Sequence, residues 1–182
     1  MWEEVEVKYR VDDFAAVRKA LRRQGGEYVS TVEQTDAYFD MPGGLLRRRD
    51  CGLRIRRTRR LRSAAGVRVD TRPLLTAKGP GRPSRRAKIR REVQTRLADP
   101  EPVLEILRAV GLGETVTVRK KRTTYRLGEC LVELDELPDA GRFVEVEAPD
   151  EPTLHTACKS LGLTGEPITD HYVNLVLSAR KD

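Results

Sequence analysis

The chain alternates between two rhythms. The opening stretch "WEEVEVKYRV" has a period of two: Glu4, Glu6, Lys8 and Arg10 fall on one side and Val5, Val7, Tyr9 and Val11 on the other. That is a strand with one apolar face. The period then lengthens. "DDFAAVRKALRRQGG" sets Phe14, Val17 and Leu21 at helical spacing, with Asp12 or Asp13 as N-cap and Gly25 as the stop. The same design returns in "DPEPVLEILRAVGLG", capped by Asp99 and ended by Gly111, and in "DEPTLHTACKSLGLTG", capped by Asp150 and ended by Gly162. A last helical segment, "DHYVNLVLSAR", follows near the end.

Between the helices the period of two recurs, each time with charge on one side. "GLRIRR" aligns Arg54 and Arg56, "LLTAKG" aligns Thr76 and Lys78, and "KIRREVQT" aligns Arg90, Glu92 and Gln94. "VRKKRTTY" contributes Lys120, Arg122 and Thr124, "CLVELDEL" contributes Glu133 and Asp135, and "RFVEVEAP" contributes Glu145 and Glu147. The order of elements predicts an α+β fold with a largely antiparallel sheet, as a single domain over residues 1–182. Two basic stretches rich in Gly, Pro or Ser, 58–72 and 80–87, read as surface loops, the first as a projecting hairpin.

Composition sharpens this picture. Of the 182 residues 35% are charged and the net charge is +7, against roughly a quarter charged in an average soluble domain. A basic balance favours an anionic partner. Cys51, Cys130 and Cys158 are odd in number and scattered, so they read as free thiols in a reducing compartment. With only His155 and His171, zinc sites and Ser-His-Asp chemistry have little to draw on. There is no apolar run of membrane-spanning or signal-peptide length, and a cytoplasmic location is expected.

An antiparallel sheet can leave its charged face in water, and any single strand here fits that description. Together the strands fit it less well, because cations concentrate in the middle strands and carboxylates in the first and last. If the sheet curls with its charged face inward, it encloses a polar tunnel. Carboxylates would then hold Mg²⁺ or Mn²⁺ while Arg and Lys neutralise phosphate oxygens. Without such a ligand, so many buried charges would be costly to desolvate.

At this point the residues carry a resemblance. Glu4-x-Glu6-x-Lys8 on the first strand is followed in order by "QTDAYFD", "LRIR", "LTAKGP", "RREV", "VRKKR", "LDEL" and "GRFVEVE". This succession resembles the CYTH superfamily, which includes class IV adenylyl cyclases and thiamine triphosphatases. The resemblance implies an antiparallel eight-stranded β-barrel, a triphosphate tunnel, with helices packed outside. It implies metal ligands at Glu4, Glu6, Glu145 and Glu147 with Asp135, and phosphate contacts from Lys8, Arg10, Arg54, Arg56, Lys78, Arg90, Lys120 and Arg122. Lys8 and Tyr38 would stand at the reacting phosphate, and a homodimer is compatible with it. Two positions depart from the family pattern: Gln94 replaces a third carboxylate after Arg90-x-Glu92, and His171-Tyr172 stands where the family has Ser-Tyr.

The reaction expected first is that of a class IV adenylyl cyclase, ATP to 3′,5′-cyclic AMP and pyrophosphate, with Mg²⁺ or Mn²⁺. The alternative is a triphosphatase acting on tripolyphosphate, thiamine triphosphate or a nucleoside triphosphate. A third reading is a noncatalytic binder of polyphosphate or RNA through the arginine-rich loops. Those loops lack interleaved aromatics, so steering of an anionic substrate is favoured over nucleic-acid binding, and no membrane partner is expected. The bland reading of His171 is a helix-surface pair with Asp170; the sharper one is a pH-sensitive base.

Overall fold

The computed structural model describes residues 2–82, 87–138, 140–168 and 170–179, with side chains from Val5 onward. Its elements run β1 (Trp2–Val11), α1 (Ala15–Arg23), β2 (Glu27–Asp40), α2 (Leu45–Arg48), β3 (Gly52–Ser63), β4 (Leu74–Arg82) and β5 (Lys88–Arg96). They continue through α3 (Glu101–Ala109), β6 (Gly113–Leu127), β7 (Cys130–Leu137), β8 (Gly141–Ala148), α4 (Glu151–Leu161) and α5 (Tyr172–Ala179).

The helices begin where side chains can satisfy their first N–H groups. Asp13 accepts from Ala15 N at 2.7 Å, Asp99 from Glu101 N at 3.0 Å and Asp150 from Thr153 N at 2.8 Å. Gly162, at φ 75°, ends α4 in the left-handed conformation that a side chain would oppose.

All neighbouring strands are antiparallel, and they close into a barrel in the order β1-β5-β4-β3-β2-β6-β7-β8, with β8 returning to β1. Closure leaves no edge strand among them and gives each strand an inside and an outside. The apolar rows point outward and are covered by helices. Val5 and Val7 of β1, Val132 and Leu134 of β7, and Val144 and Val146 of β8 pack against Phe14, Val17 and Leu21 around α1 and Leu154, Ala157 and Leu161 of α4. On the other flank Ala37, Phe39 and Ile55 of β2 and β3 pack against Leu104 and Leu107 of α3. Each valine buried this way contributes about 1.5–3 kcal/mol relative to exposure.

A third apolar cluster lies on the inward rows. Val116 and Val118 of β6, Leu137 of β7 and Phe143 of β8 close around Tyr172 and Val176 of α5. Phe143 meets Tyr172 edge-on, with ring centroids 5.3 Å apart. Helix α5 therefore fills part of one end of the barrel. The rest of the interior is charged.

Strand β2 was absent from the strands read by alternation, and it supplies the eighth stave. With β3 and β6 it forms the longest pairing in the sheet: residues 58–63 extend β3 and pair with residues 30–34 of β2. The connection to β4 is tied down where Ala64 N donates to Val29 O at 2.9 Å and where Arg72 and Arg96 both reach Asp70. In the 80–87 stretch, β4 runs to Arg82 and residues 83–86 lie outside the described residues. No helix among the described residues is long and apolar enough to cross a membrane.

Candidate active site

The inward rows meet in a cavity of about 400 Å³ running through the barrel. Its walls carry Lys8 from β1, Tyr38 from β2, Arg54 and Arg56 from β3, Lys78 from β4, and Lys120 and Arg122 from β6. Facing them are Glu6 from β1, Glu92 from β5, Glu133 from β7, and Glu145 and Glu147 from β8. All eight strands thus contribute ionisable groups to one space inside the barrel.

The cations are held from behind. Asp36 on β2, 1% exposed, accepts two bonds from Arg56, at 2.6 and 2.7 Å, and one from Arg54 at 3.2 Å. Burial by itself would raise the Asp36 carboxyl, but Arg56 and Arg54 outweigh it and hold it far below the ordinary carboxylate range. Arg54 in turn is raised, burial being overcome by Asp36 and then Tyr38. Asp135 on β7 plays the same part on the next wall. It accepts from Lys120 Nζ at 2.8 Å, from Arg122 Nε at 2.7 Å and from the Tyr172 hydroxyl at 2.8 Å. Bidentate and multiply bonded pairs of this kind fix the guanidinium planes before any ligand arrives.

Lys8 and Lys120 form a second cationic unit. Lys8 Nζ lies 3.2 Å from Glu145 Oε1, 3.2 Å from the Asp170 carbonyl it donates to, and 4.0 Å from the Tyr172 ring centroid. Lys120 Nζ is 4.6 Å from the same ring. Both ammoniums lie against the same aromatic ring. Burial, then Arg122 beside it, depresses Lys120 to about 8, Asp135 and Glu145 opposing that shift.

The carboxylates divide into two sets. Glu145 is bound to Lys8 and Arg122, and these hold it well below its ordinary range despite burial. Glu147 has one opposing cation, Lys78, and it is outweighed. Its strand partner in the β1–β8 register is Glu6, and burial, Glu133 and Glu6 together push it up to about 7. Glu133 is raised as well, chiefly by burial, although Arg122 touches it.

Among the described residues no three carboxylate, imidazole or thiol groups already stand as a ligand set. The donor chemistry nevertheless fits a hard divalent cation. Glu147 feels the negative charge of both Glu133 and Glu6, and a positive charge among them would remove the repulsion that raises it.

Three expected site residues, Arg10, Arg90 and Asp135, do not line this cavity. Glu4 lies on β1 opposite Arg90, but its side chain is outside the described residues. Arg10 does not reach the cavity: it is exposed, donates to Ala140 O at 2.8 Å and lies 4.8 Å from the Phe143 ring, because the apolar plug occupies its end of the barrel. Arg90 is fully buried behind the cavity wall, its Nη1 3.1 Å from His171 Nε2 and its Nη2 3.6 Å from Asp50 Oδ2. Asp135 has no exposed surface, and its acceptor capacity is spent on Lys120, Arg122 and Tyr172. It positions the cations.

Other residues belong to the site without having been singled out for it. Asp36 and Tyr172 orient the clamp. Glu92, 1% exposed, pairs with Lys78 at 2.8 Å and accepts from Gln94. Glu133 completes the carboxylate group. His171 does not pair with Asp170; its Nε2 lies 3.0 Å from Asp50 Oδ1, and burial followed by Arg90 lowers its pKa.

A closed antiparallel barrel whose interior combines a held cationic wall with a carboxylate wall has the charge pattern of a class of proteins able to bind a polyanion. The comparisons agree. A family model for the CYTH domain matches residues 3–158, and the chain belongs to that family, whose members generally depend on divalent metals and bind triphosphates. It is 28% identical over 144 residues to the protein of Methanocaldococcus jannaschii named "Putative adenylate cyclase MJ0240", covering 79% of this chain and 75% of that one. Its fold matches the PH1819 protein from Pyrococcus horikoshii at TM-score 0.80 and 25% identity, over 97% of this chain and 99% of that chain. It also matches the protein named "Putative adenylyl cyclase HpAC1" from Hippeastrum, described as having a dominant triphosphatase activity, at TM-score 0.68 and 20% identity, over 96% and 95% of the two chains.

Proposed function

We propose that this protein is a metal-dependent enzyme that acts on a triphosphate inside the barrel, and that its reaction is the conversion of ATP to 3′,5′-cyclic AMP and pyrophosphate. One observation carries the proposal: two buried carboxylates, Asp36 and Asp135, hold guanidinium and ammonium groups that line a cavity shared with Glu6, Glu133 and Glu147.

The chain's own groups match the charge changes of such a step. Arg54, Arg56, Lys78, Lys120 and Arg122 line the space where the phosphates would lie and can neutralise charge as it moves onto departing pyrophosphate. These groups are already oriented, so little reorganisation is needed at the moment of reaction. Lys8 and Tyr38 contribute an ammonium and a phenol to the same cavity, able to donate to the oxygens of the reacting phosphorus. Glu6, Glu133 and Glu147 would hold Mg²⁺ or Mn²⁺. When bound, the cation would supply Lewis-acid polarisation of the phosphate oxygens and lower the pKa of the attacking hydroxyl.

Hydrolysis is the second reading, favoured by the dominant triphosphatase activity of HpAC1, which shares the fold. The same clamp serves either outcome; the nucleophile and the attacked phosphorus differ. Incubation with ATP, and separately with tripolyphosphate, in Mg²⁺ or Mn²⁺ distinguishes them. Cyclic AMP with pyrophosphate is the expected product, whereas orthophosphate alone makes the enzyme a triphosphatase. Absence of turnover on either substrate, with salt-sensitive RNA binding, would overturn the enzymatic proposal.

A further inference from the structure

Two groups on the wall of the charged cavity each lack what the other could supply. Thr76 on β4 lines that cavity and has no exposed surface, and its hydroxyl oxygen has no hydrogen-bond partner among the described residues. Arg54 on β3 lines the same cavity, and its buried Nε is likewise without one. The two residues are direct partners in the β3–β4 register. Residues so opposed on one face have Cβ atoms about 4.5–5.5 Å apart. A turn of the arginine side chain can therefore bring its Nε–H, which only donates, to an oxygen that accepts.

Nothing else satisfies the pair. Bulk water does not reach Thr76, and Gln94, its partner on β5, gives its amide to Glu92. Arg54 leans the other way, towards β2, where its Nη1 lies 3.2 Å from Asp36 Oδ2. That is the loosest hold on any of the clamp's cations. Arg56 reaches Asp36 at 2.6 and 2.7 Å, Lys78 reaches Glu92 at 2.8 Å, and Lys120 reaches Asp135 at 2.8 Å. Asp36 keeps both bonds from Arg56 if Arg54 turns away. Buried donors and acceptors are nearly always matched, because leaving one unmet forfeits its hydration for nothing. An unmet donor opposite an unmet acceptor, beside the least restrained cation, marks a bond that belongs to another state of the site.

From this pairing we infer that Thr76 is a positioning residue for Arg54: when phosphates enter the tunnel, the guanidinium turns from Asp36 towards them and its Nε–H donates to Thr76 Oγ1. The bond fixes the guanidinium plane while the Nη groups remain free for phosphate oxygens. Thr76 acts through Arg54 and need not touch the ligand, which agrees with its lack of exposed surface. The bond is absent from the empty barrel, so it contributes to affinity and not to the stability of the free protein. It serves cyclisation and hydrolysis alike. The inference rests on the tunnel binding the triphosphate as proposed above.

Thr76→Val keeps the shape of the side chain and removes the hydroxyl, and Thr76→Ser retains the hydroxyl. Tripolyphosphate binding is measured by isothermal titration calorimetry without divalent cations, so that no turnover intervenes, beside thermal melts of the ligand-free proteins. The Arg54 Nε–H resonance, assigned by its loss in Arg54→Lys, is followed by proton–nitrogen NMR. Thr76→Val is expected to raise the Kd about tenfold. Its ligand-free Tm should be unchanged or higher, because the hydroxyl makes no bond there. Thr76→Ser should bind as the unaltered protein does. Tripolyphosphate should move the Nε–H resonance in the unaltered protein and in Thr76→Ser, and by less in Thr76→Val. A Kd unchanged in Thr76→Val, a Tm lowered by it, or a resonance that moves alike in all three proteins overturns the inference and leaves the tunnel reading standing. If the unaltered protein binds no tripolyphosphate, the tunnel reading itself fails and the inference falls with it.

Discussion

Glu6 on β1 and Glu147 on β8 are direct partners in the barrel register, and both line the charged cavity. Like charges placed opposite one another on one face of a sheet are destabilising, and here burial and Glu133 add to the strain on Glu147. Without a metal, the folded protein relieves it by keeping a proton on Glu147 up to about pH 7, whereas the unfolded chain releases that proton near its ordinary 4.5. Between these values the folded state binds more protons, so metal-free stability falls as pH rises through the interval. Thermal melts in EDTA should show this decline, and Mg²⁺ should reverse it. Glu147→Gln should flatten the profile and reduce the Mg²⁺-induced rise in Tm. A profile unchanged by the substitution would remove Glu147 from the metal site.

Asp36 is expected to be a keystone of the clamp. Asp36→Ala leaves Arg56 buried without its bidentate partner, a loss of about 3–5 kcal/mol in similar buried pairs. Urea unfolding should report that loss. Tripolyphosphate should stabilise the variant by more than it stabilises the unaltered protein, since the polyanion then supplies the missing negative charge. Equal stabilisation of the two would argue against Arg54 and Arg56 as phosphate groups.

Lys120 gives the cavity a pH limit of its own. At about 8 its folded value lies below the 10.5 of a free lysine, so its charge on the clamp is lost as pH rises past 8. The sign for stability is opposite: the buried charge is a burden below pH 8, relieved as pH climbs from there towards 10.5. Tripolyphosphate affinity should weaken by up to about tenfold per pH unit above that value, as measured by calorimetry at a series of pH values. Lys120→Arg keeps its charge throughout and should remove the dependence.

Position along β3 separates clamp from surface. Arg56, 8% exposed, faces the cavity, while Arg62 on the same strand is exposed. Arg56→Ala should lower kcat/KM by about 10–100-fold, the usual worth of a hydrogen bond to a charged group. Arg62→Ala should change it by less than about twofold. Steady-state assays of the two variants decide the matter, and equal losses would sink the clamp.

The face of each strand was readable from its alternation, because a closed barrel preserves the period of two that the residues carry. Depth along the strand was not. Arg10 shares its face with Glu6 and Lys8, yet the end it occupies is filled by Phe143 and Tyr172, which only tertiary packing determines. Asp135 shares its face with Glu133 but meets Lys120 and Tyr172, so its oxygens serve as acceptors for the clamp. Strand β2 is obscured because polar residues fall on both of its faces, Gln34 and Asp36 on one and Glu33 and Thr35 on the other, and because Val29 is an extra residue in its pairing with β6 between Tyr28 and Ser30. Asp36 was hidden with it. His171 finds Asp50 and Arg90, distant in the chain, and no local pattern marks such a meeting.

The pairing of Asp36 with Arg56 also acts as a threshold for entry. A lone orthophosphate offers the guanidinium little that the resident carboxylate does not already provide, and displacing that carboxylate would strand the buried charge of Asp36. A chain of three phosphates can engage several cationic groups at once without evicting any of their partners. With the polyanion proposed above as its ligand, the barrel would thereby discourage abundant small anions and favour ligands of high charge multiplicity.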